Sequence, residues 1–206
     1  MKDYPSILRI SEEFIGKECI SFMKLDGSNL RVEFSSKTGF YKWGTRNRLF
    51  DASDPEYGRA IPIFHKKYAQ DLEKLISRFF PKCKSAIFYM EFFGPESFAG
   101  QHNFNKDFDL VIFDINIYKK GFLDPKTFIK ICENIHTPEI IYQGKLTEEF
   151  VKDIREKKYP VEEGVVCKGM LDPKNIHSQW RCKIKTWEYL AKIKKTFGAE
   201  YQKYWE

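Results

Sequence analysis

The sequence lacks the features that would hold the protein in a membrane or direct it out of the cell. No run approaches the ~20 consecutive apolar residues that span a bilayer, and the first residues lack the apolar core of a signal peptide. No Gly/Ser-rich linker, low-complexity tract or internal repeat divides the 206 residues. We therefore expect one soluble, cytoplasmic domain with no membrane partner.

Cysteine is scarce and badly placed for cross-linking. The five cysteines are odd in number and widely spaced, with no Cys-x-x-Cys pair or Cys/His cluster. This pattern excludes a disulfide framework and argues against a structural zinc site. We expect reduced and mostly buried thiols at all five positions.

Apolar and aromatic residues are plentiful. Hydrophobic residues make up 42% of the chain and aromatic residues 17%, which is sufficient for a core and argues against disorder. The 35 basic and 29 acidic residues give a net charge of +6. So mild an excess permits an anionic partner without requiring one.

Hydrophobic periodicity predicts a mixed α+β fold with a largely antiparallel sheet framework. The two strands at 85–93 and 110–118 are mostly apolar and therefore predicted to be buried on both faces. The other predicted strands cover 18–24, 29–34, 40–43, 164–168 and 180–185. The predicted helices cover 63–80, 125–134, 147–158 and 187–204, the last within a helical C-terminal segment 187–206.

Lys24 lies in the segment Lys-Leu-Asp-Gly at 24–27, where one strand turns into the next and side chains are exposed. A lysine is a covalent nucleophile only when its amine is neutral, so its pKa must be lowered by nearby cations or by desolvation. The four-residue pattern alone is weak evidence, because most such lysines are solvated.

Charged residues recur at the ends of other predicted strands. Glu91 ends one strand, where a carboxylate is well placed to bind sugar hydroxyls, and Glu162 and Glu163 precede another, a natural site for a hard divalent cation. Lys183 and Lys185 project from one face of a strand. Two such ammonium groups repel each other unless an anion, such as a triphosphate, lies between them.

Five segments, in this order, resemble the motifs of the covalent nucleotidyltransferases, the family of ATP-dependent DNA ligases, RNA ligases and mRNA capping enzymes. Residues 24–27 resemble the nucleotidyl-lysine motif I, 91–94 motif III, 113–115 motif IIIa, 163–166 motif IV and 183–185 motif V. The resemblance implies the ligase/capping-enzyme nucleotidyltransferase (adenylation) domain, with mostly antiparallel sheets flanked by helices, as a single domain over 1–206.

Within that family the chain is most similar to the RNA ligase 2 and RNA-editing-ligase branch. Only 21 residues follow Lys185, too few for the OB domain of DNA ligases and capping enzymes, and no Arg-x-Asp-Lys motif appears. Asn29 soon after motif I and the Thr45–Arg46 pair also fit this branch. The chain departs from this branch in two features. At most one helix follows motif V, where the branch commonly has a helical C-terminal domain. Asp26 follows the general family pattern at the third position of motif I, where some members of the branch have another residue.

The resemblance implies that Lys24 attacks the α-phosphate of ATP, expels pyrophosphate and carries AMP as a phosphoramidate. Lys183 and Lys185 are the other implied catalytic residues; they would lower the pKa of Lys24 and neutralise the α-phosphate. AMP then passes to an RNA 5′-phosphate, and a 3′-hydroxyl displaces it to join the strands.

The other implied site residues bind ATP, a metal or RNA. Glu163 would hold Mg²⁺ or Mn²⁺ against phosphate oxygens, Glu91 the ribose hydroxyls, and Phe113 the adenine ring. Asn29 and Arg46 would contact the outgoing pyrophosphate or the RNA 5′-phosphate. Asp26 completes the nucleotide-binding set.

Simpler interpretations of several residues stay open. Phe113 is otherwise a core residue, Glu162 could be the true metal ligand, and Asp26 could be a turn residue bonded to the backbone. Arg31 and Arg48 are the alternatives to Arg46. Two further groups are predicted to be a solvated helix face and ring packing, rather than phosphate and base contacts: Lys192, Lys194 and Lys195, and Tyr201, Tyr204 and Trp205.

We therefore expect an ATP-dependent RNA ligase, active in RNA repair as a monomer on nicked or structured RNA, with no protein partner indicated. The alternatives are a DNA ligase or capping-type core that needs a partner domain, and an inactive nucleic-acid-binding relative. Because several of the cations would face one nucleotide, RNA binding is predicted to be weak and salt-sensitive.

Overall fold

Two largely antiparallel sheets organise the chain into an α+β fold, as the sequence pattern predicts. The computed structural model describes residues 2–172, 174–175 and 178–205. These residues divide into two compact units, each discontinuous in sequence: unit 1 comprises Met1–Pro5 and Asp26–Thr137, and unit 2 comprises Ser6–Leu25 and Pro138–Glu206. The assignment of one nucleotidyltransferase domain to 1–206 stays a prediction, and its two end residues lie outside the described residues.

Unit 1 is built on a six-stranded sheet with every strand antiparallel to its neighbours. In sheet order the strands are β5 (Leu49–Phe50), β4 (Gly39–Thr45), β3 (Ser28–Ser35), β6 (Ser85–Phe93), β7 (Asp109–Ile117) and β8 (Gly121–Phe122). Strand β7 is buried on both faces over most of its length, as its apolar composition predicts. Strand β6 is buried mainly on one face, because four residues of its other face are only half-buried: Ser85, Ile87, Glu91 and Phe93.

The helices of unit 1 supply the apolar side chains that cover this sheet. They are α1 (Ala60–Phe64), a π-helical turn at His65–Ala69, α2 (Gln70–Phe79) and α3 (Pro125–Ile131). The first three run on from one another where a single helix over 63–80 was predicted. Asp124 caps α3 by accepting the Thr127 N–H, with Pro125 at the first helical position.

Unit 2 is built on a five-stranded sheet. In sheet order its strands are β1 (Leu8–Arg9), β11 (Gln179–Lys185), β10 (Gly164–Met170), β2 (Glu18–Lys24) and β9 (Ile140–Lys145). Only the pairing of β1 with β11 is parallel. Helix α4 (Glu148–Arg155) packs on one face, and α5 (Trp187–Phe197) follows β11 directly. A short 3₁₀ turn, Glu12–Phe14, lies between β1 and β2.

The core of unit 2 contains three of the five cysteines. Cys19, Cys167 and Cys182 are buried with Phe150 and Ile154 of α4. Hydrogen bonding and burial raise the pKa of the Cys19 and Cys167 thiols, so both stay protonated. All five cysteines are free, four of them buried, which confirms the prediction of reduced and mostly buried thiols.

The predicted C-terminal helix over 187–206 is wrong beyond Phe197. Gly198 takes φ +51° and ψ −123°, a conformation that only glycine adopts readily, and α5 ends there. A 3₁₀ helix, Gly198–Lys203, follows, and Glu206 lies outside the described residues. Strands β1, β5, β8 and β9 were not predicted.

No helix among the described residues combines the length and the apolar character needed to cross a bilayer.

Gly164, the first residue of β10, allows two strands to approach closely. Its φ is +145°, and a Cβ atom there would lie 1.9 Å from the Ile184 carbonyl oxygen of β11. Because neither strand can move apart without losing ladder hydrogen bonds, glycine is required at this position.

We therefore expect Gly164→Ala to lower the free energy of unfolding by about 2–6 kcal/mol, the sum of backbone strain and overpacking. Denaturant titration followed by circular dichroism measures the loss. Gly16→Ala is the matched control, because Gly16 also has a positive φ (+83°) but has no atom within 4 Å of the added Cβ. Equal losses in the two variants would contradict the steric explanation.

Candidate active site

Three of the predicted site segments meet at the ends of three neighbouring strands in the unit 2 sheet. Lys24, the last residue of β2, lies opposite Gly164 of β10, and Gly164 lies opposite Lys185, the last residue of β11. Motifs that are far apart in sequence therefore end side by side on three neighbouring strands. The pairing also brings Glu163, immediately before Gly164, between the two lysines.

A single carboxylate links the two lysines. Lys24 Nζ lies 2.8 Å from Glu163 Oε2, and Lys185 Nζ lies 3.3 Å from Glu163 Oε1. Glu163 is buried, with 3% of its surface exposed. An ammonium paired with a carboxylate keeps its proton, and its nitrogen then has no lone pair for nucleophilic attack. In this ion pair Lys24 is therefore not a nucleophile.

Glu163 and Glu162 differ sharply in their surroundings. The Glu162 side chain is 88% exposed and pairs with Lys157 Nζ at 2.9 Å, on the surface of unit 2. Thr186 fixes the backbone of both residues: its N–H donates to the Glu163 carbonyl and its hydroxyl to the Glu162 carbonyl. The geometry favours Glu163 over Glu162 as the carboxylate that acts beside Lys24.

The ammonium group of Lys185 is surrounded by further acceptors. It donates to the Tyr204 carbonyl at 3.1 Å and lies 3.5 Å from the Trp205 carbonyl, with the Tyr189 ring centroid at 5.1 Å. A lysine has three N–H donors, and these contacts together with Glu163 satisfy them. The C-terminal segment after Gly198 thus reaches the candidate site through its backbone.

The predicted ring packing in this segment is present. The Tyr204 ring stacks on Phe197 with centroids 3.9 Å apart, and Tyr201 meets Trp205 edge-on at 5.0 Å. The three lysines of α5, Lys192, Lys194 and Lys195, are exposed, in line with a solvated helix face.

Lys168 of β10, in the same sheet, was not among the predicted site residues. Strand alternation places Gly164, Val166 and Lys168 on one face of β10, and register places Val166 opposite Lys183 of β11. Lys168 is 4% exposed, with its Nζ 5.3 Å from the Phe22 ring centroid. So buried a lysine is uncommon, and the period-two spacing from Gly164 is the signal that could have found it.

The remaining predicted site residues belong to unit 1. Asn29 of β3 lies opposite Glu91 of β6. The buried Asn29 Oδ1 has no hydrogen-bond partner among the described residues. Arg46 begins the turn after β4, next to Thr45, which lies opposite Leu30. Register therefore gathers three of the predicted residues at one end of this sheet.

Arg31 and Arg48, the alternatives to Arg46, both have acidic partners. Arg31 is buried and pairs with Asp3, and Arg48 pairs with Asp54. Arg46 is exposed, and within the described part of the chain no ion pair involves it. The structure thus leaves Arg46 as the arginine available to an anion.

Asp26 bonds to the backbone, although far from its own turn. Both of its carboxylate oxygens accept the Ala99 N–H, at 2.8 and 3.0 Å. Phe113 is half-buried and is the extra residue of a bulge in β7, where Tyr89 pairs with Asp114 and Met90 with Ile112; its ring meets that of Tyr4 edge-on at 5.0 Å. A bulge redirects side chains, so Phe113 is less enclosed than its strand neighbours.

Within the described residues no group of three or more His, Cys, Asp or Glu side chains could hold a metal ion. Mg²⁺ is commonly bound by one or two carboxylates together with substrate phosphates. The buried carboxylate of Glu163 fits that arrangement and not an all-protein metal cage.

A family model described as RNA ligase matches residues 17–185 of this chain. No curated protein matches the sequence. Among solved structures, an RNA ligase from Naegleria gruberi with PPi has a TM-score of 0.64 at 17% identity, covering 95% of this chain and 58% of that chain. A mutant of that ligase with ATP and Mn has a TM-score of 0.60 at 17% identity, covering 88% and 52%.

A putative ATP-dependent DNA ligase from Aquifex aeolicus is also similar, with a TM-score of 0.59 at 22% identity, covering 94% of this chain and 52% of that chain. The chain thus spans between half and three fifths of the length of these proteins. At such identities they show the nucleotidyltransferase fold alone. The family match extends over most of the sequence and ends at Lys185, and on that ground the chain belongs to the RNA ligase family.

Proposed function

We propose that this chain is an ATP-dependent RNA ligase that joins RNA 3′-hydroxyl and 5′-phosphate ends through a lysyl-AMP intermediate. The observation that carries the proposal is the placement of Lys24, Glu163 and Lys185 at three adjacent strand ends. A buried anion between two lysines is a site that an incoming polyphosphate can reorganise. A monomeric state and a cytoplasmic location stay predictions.

In the first step Lys24 Nζ attacks the α-phosphorus of ATP after losing its proton. A P–N bond forms, the P–O bond to pyrophosphate breaks, and pyrophosphate leaves with the electron pair. Lys183 and Lys185 offset the negative charge that develops on the phosphate oxygens. Positioning and charge neutralisation provide most of the rate enhancement for a phosphoryl displacement.

The ion pair with Glu163 must break before this attack. If Glu163 held a divalent cation, its carboxylate would no longer stabilise the charge of the Lys24 ammonium, and deprotonation of Lys24 would be easier. A bound Mg²⁺ or Mn²⁺ would supply charge neutralisation on the phosphates. Glu163 therefore has two roles, holding Lys24 at rest and releasing it when substrate binds.

In the next steps an oxygen of the RNA 5′-phosphate attacks the α-phosphorus, the P–N bond breaks, and Lys24 regains a proton. The RNA 3′-hydroxyl then attacks the 5′-phosphate, loses its proton, and displaces AMP. We assign Glu91 to the ribose hydroxyls, Phe113 to the adenine ring, and Asn29 and Arg46 to phosphate. The exposure of Arg46, which forms no ion pair among the described residues, and the register that places Asn29 and Glu91 opposite each other support these assignments.

Incubation with α-labelled ATP and Mg²⁺ is expected to leave labelled AMP on the protein. Lys24→Ala should reduce the labelling rate at least about 1,000-fold, because it removes the nucleophile. Lys145→Ala, an exposed lysine of the same sheet, should label like the wild type. A wild-type protein that acquires no label would refute the proposed function at its first step.

Glu163→Gln should reduce the labelling rate about 10²–10³-fold, since a charged group that organises the phosphates is lost. Glu162→Gln is the matched control and should label at the wild-type rate. If Glu162→Gln has the larger effect, Glu162 is the functional carboxylate.

Nicked duplexes that differ only in the strand bearing the 3′-hydroxyl separate RNA from DNA ligation. We expect an RNA 3′-hydroxyl strand to be joined at least about tenfold faster than a DNA strand, measured by gel analysis of single-turnover reactions. Preference for DNA would favour the alternative suggested by the likeness to a putative DNA ligase. Labelling by GTP in place of ATP would instead indicate capping chemistry.

A further inference from the structure

The loop between β6 and β7 holds the turn that follows Lys24. Residues 26–28 begin two positions after Lys24 and lead into β3. Asp26, Gly27 and Ser28 each contact a different part of unit 1, either the end of β6 or this loop. Three consecutive residues, which begin two positions after the proposed nucleophile, are thus bound to the end of β6 and to the loop that follows it.

Asp26 is bound to the tip of the loop. Residues 98–101 form a tight turn in which Phe98 and Gln101 exchange both backbone hydrogen bonds at 2.9 Å. Ala99 and Gly100 have φ values of +50° and +78°, as in a type I′ turn. This conformation directs the Ala99 N–H at the Asp26 carboxylate.

Gly27 packs directly on β6. A Cβ atom at this position would lie 2.5 Å from the Phe92 carbonyl oxygen and 3.0 Å from Glu91 Cγ. The turn therefore touches the strand that carries Glu91, and only glycine fits between them.

Ser28 is bound to His102, which lies on the returning side of the loop. His102 Nε2 is 2.7 Å from Ser28 Oγ, and its Nδ1 is 2.8 Å from Ser97 Oγ. Ser97 Oγ also accepts the Gly94 N–H at 2.8 Å. The imidazole thus connects the turn to both sides of the loop through its two nitrogen atoms.

The environment of His102 keeps its ring in place. The Phe104 and Phe108 rings lie with centroids 5.5 Å from it. Burial lowers the pKa of His102, so the ring is neutral near pH 7, with one nitrogen donating and the other accepting. A neutral imidazole between two hydroxyls is fully satisfied in either tautomer.

We propose that His102 is a positioning residue for nucleotidyl transfer, acting through Ser28 to fix the turn that connects Lys24 to β3. This inference rests on the proposed function, because the reaction it supports is AMP transfer to Lys24. His102 bonds to Ser28 and Ser97 and is assigned no contact with ATP. Its loss should therefore reduce the rate of the chemical step and leave nucleotide affinity nearly unchanged.

Two amide substitutions test the two nitrogen atoms of the imidazole one at a time. Gln places an amide near the position of Nε2 and can keep the bond to Ser28, whereas Asn places it near Nδ1 and can keep only the bond to Ser97. We expect His102→Asn to lower kcat for AMP labelling about 10–100-fold with KM for ATP within about threefold. His102→Gln should stay within about threefold of the wild type in both.

Ser28→Ala tests whether His102 acts through Ser28. The double variant Ser28→Ala with His102→Asn should be no slower than Ser28→Ala alone, because Ser28→Ala already removes the bond to His102 together with the 3.3 Å contact to the Tyr57 hydroxyl. His136→Ala, an exposed histidine, is the matched control and should label at the wild-type rate. Thermal unfolding of each variant identifies any loss that comes from global destabilisation.

The outcomes distinguish this inference from the proposed function. A wild-type protein without label overturns both. A labelled wild type with equal kcat for His102→Asn and His102→Gln, whether reduced or unchanged, overturns the positioning role alone. Additive losses in the double variant would also overturn it, because His102 would then act independently of Ser28.

Discussion

The candidate site depends on one buried carboxylate that compensates two lysines. Lys185 of β11 is almost fully buried, and Lys24 lies on β2, with only β10 between the two strands. In so nonpolar an environment their ammonium groups would repel each other strongly. Glu163 removes that repulsion by binding one lysine with each oxygen. A buried charge is tolerated only when paired and hydrogen-bonded, and this pairing is what permits the proposed nucleophile to lie close to Lys185 at the strand ends.

Several backbone features serve to place this carboxylate. The positive φ of Gly164 brings the start of β10 against β11, and Thr186 donates hydrogen bonds to the carbonyls of Glu162 and Glu163. Thr186 also caps α5 by accepting the Tyr189 N–H. The start of α5 and the position of Glu163 are therefore fixed by the same residue, Thr186, so the site is part of the framework of unit 2.

Local sequence patterns predicted the strands that carry the site because those strands alternate clearly or are uniformly apolar. Strand β2 and strand β6 have the predicted bounds. Strand β9 escaped prediction because its residues are only half-buried and include Gly144 with φ +150°. The end of α5 was misplaced because the aromatic residues after Gly198 continue a helix-like pattern, while the decisive signal is the conformation of one glycine.

Contacts between residues distant in sequence were beyond prediction. No local pattern indicates that Asp26 binds an amide 73 residues away, or that His102 lies between Ser28 and Ser97. The buried Lys168 was readable from period-two spacing once Glu163 and Gly164 were identified. The sequence thus indicated which side chains have the chemistry for nucleotidyl transfer. The tertiary structure shows which of them are fixed by hydrogen bonds and ion pairs.

The strand order of unit 2 also bears on how the protein is made. Strand β2, which ends at Lys24, lies between β9 and β10, and neither of these begins before residue 140. Synthesis proceeds at about 5–20 residues per second, so β2 leaves the ribosome several seconds before either neighbour exists. During that interval its apolar residues Ile20 and Phe22 have no sheet to join, and both edges of the strand are open to wrong pairing. The strand carrying the proposed nucleophile therefore stays unpaired in the nascent chain until synthesis of the last third of the protein is under way.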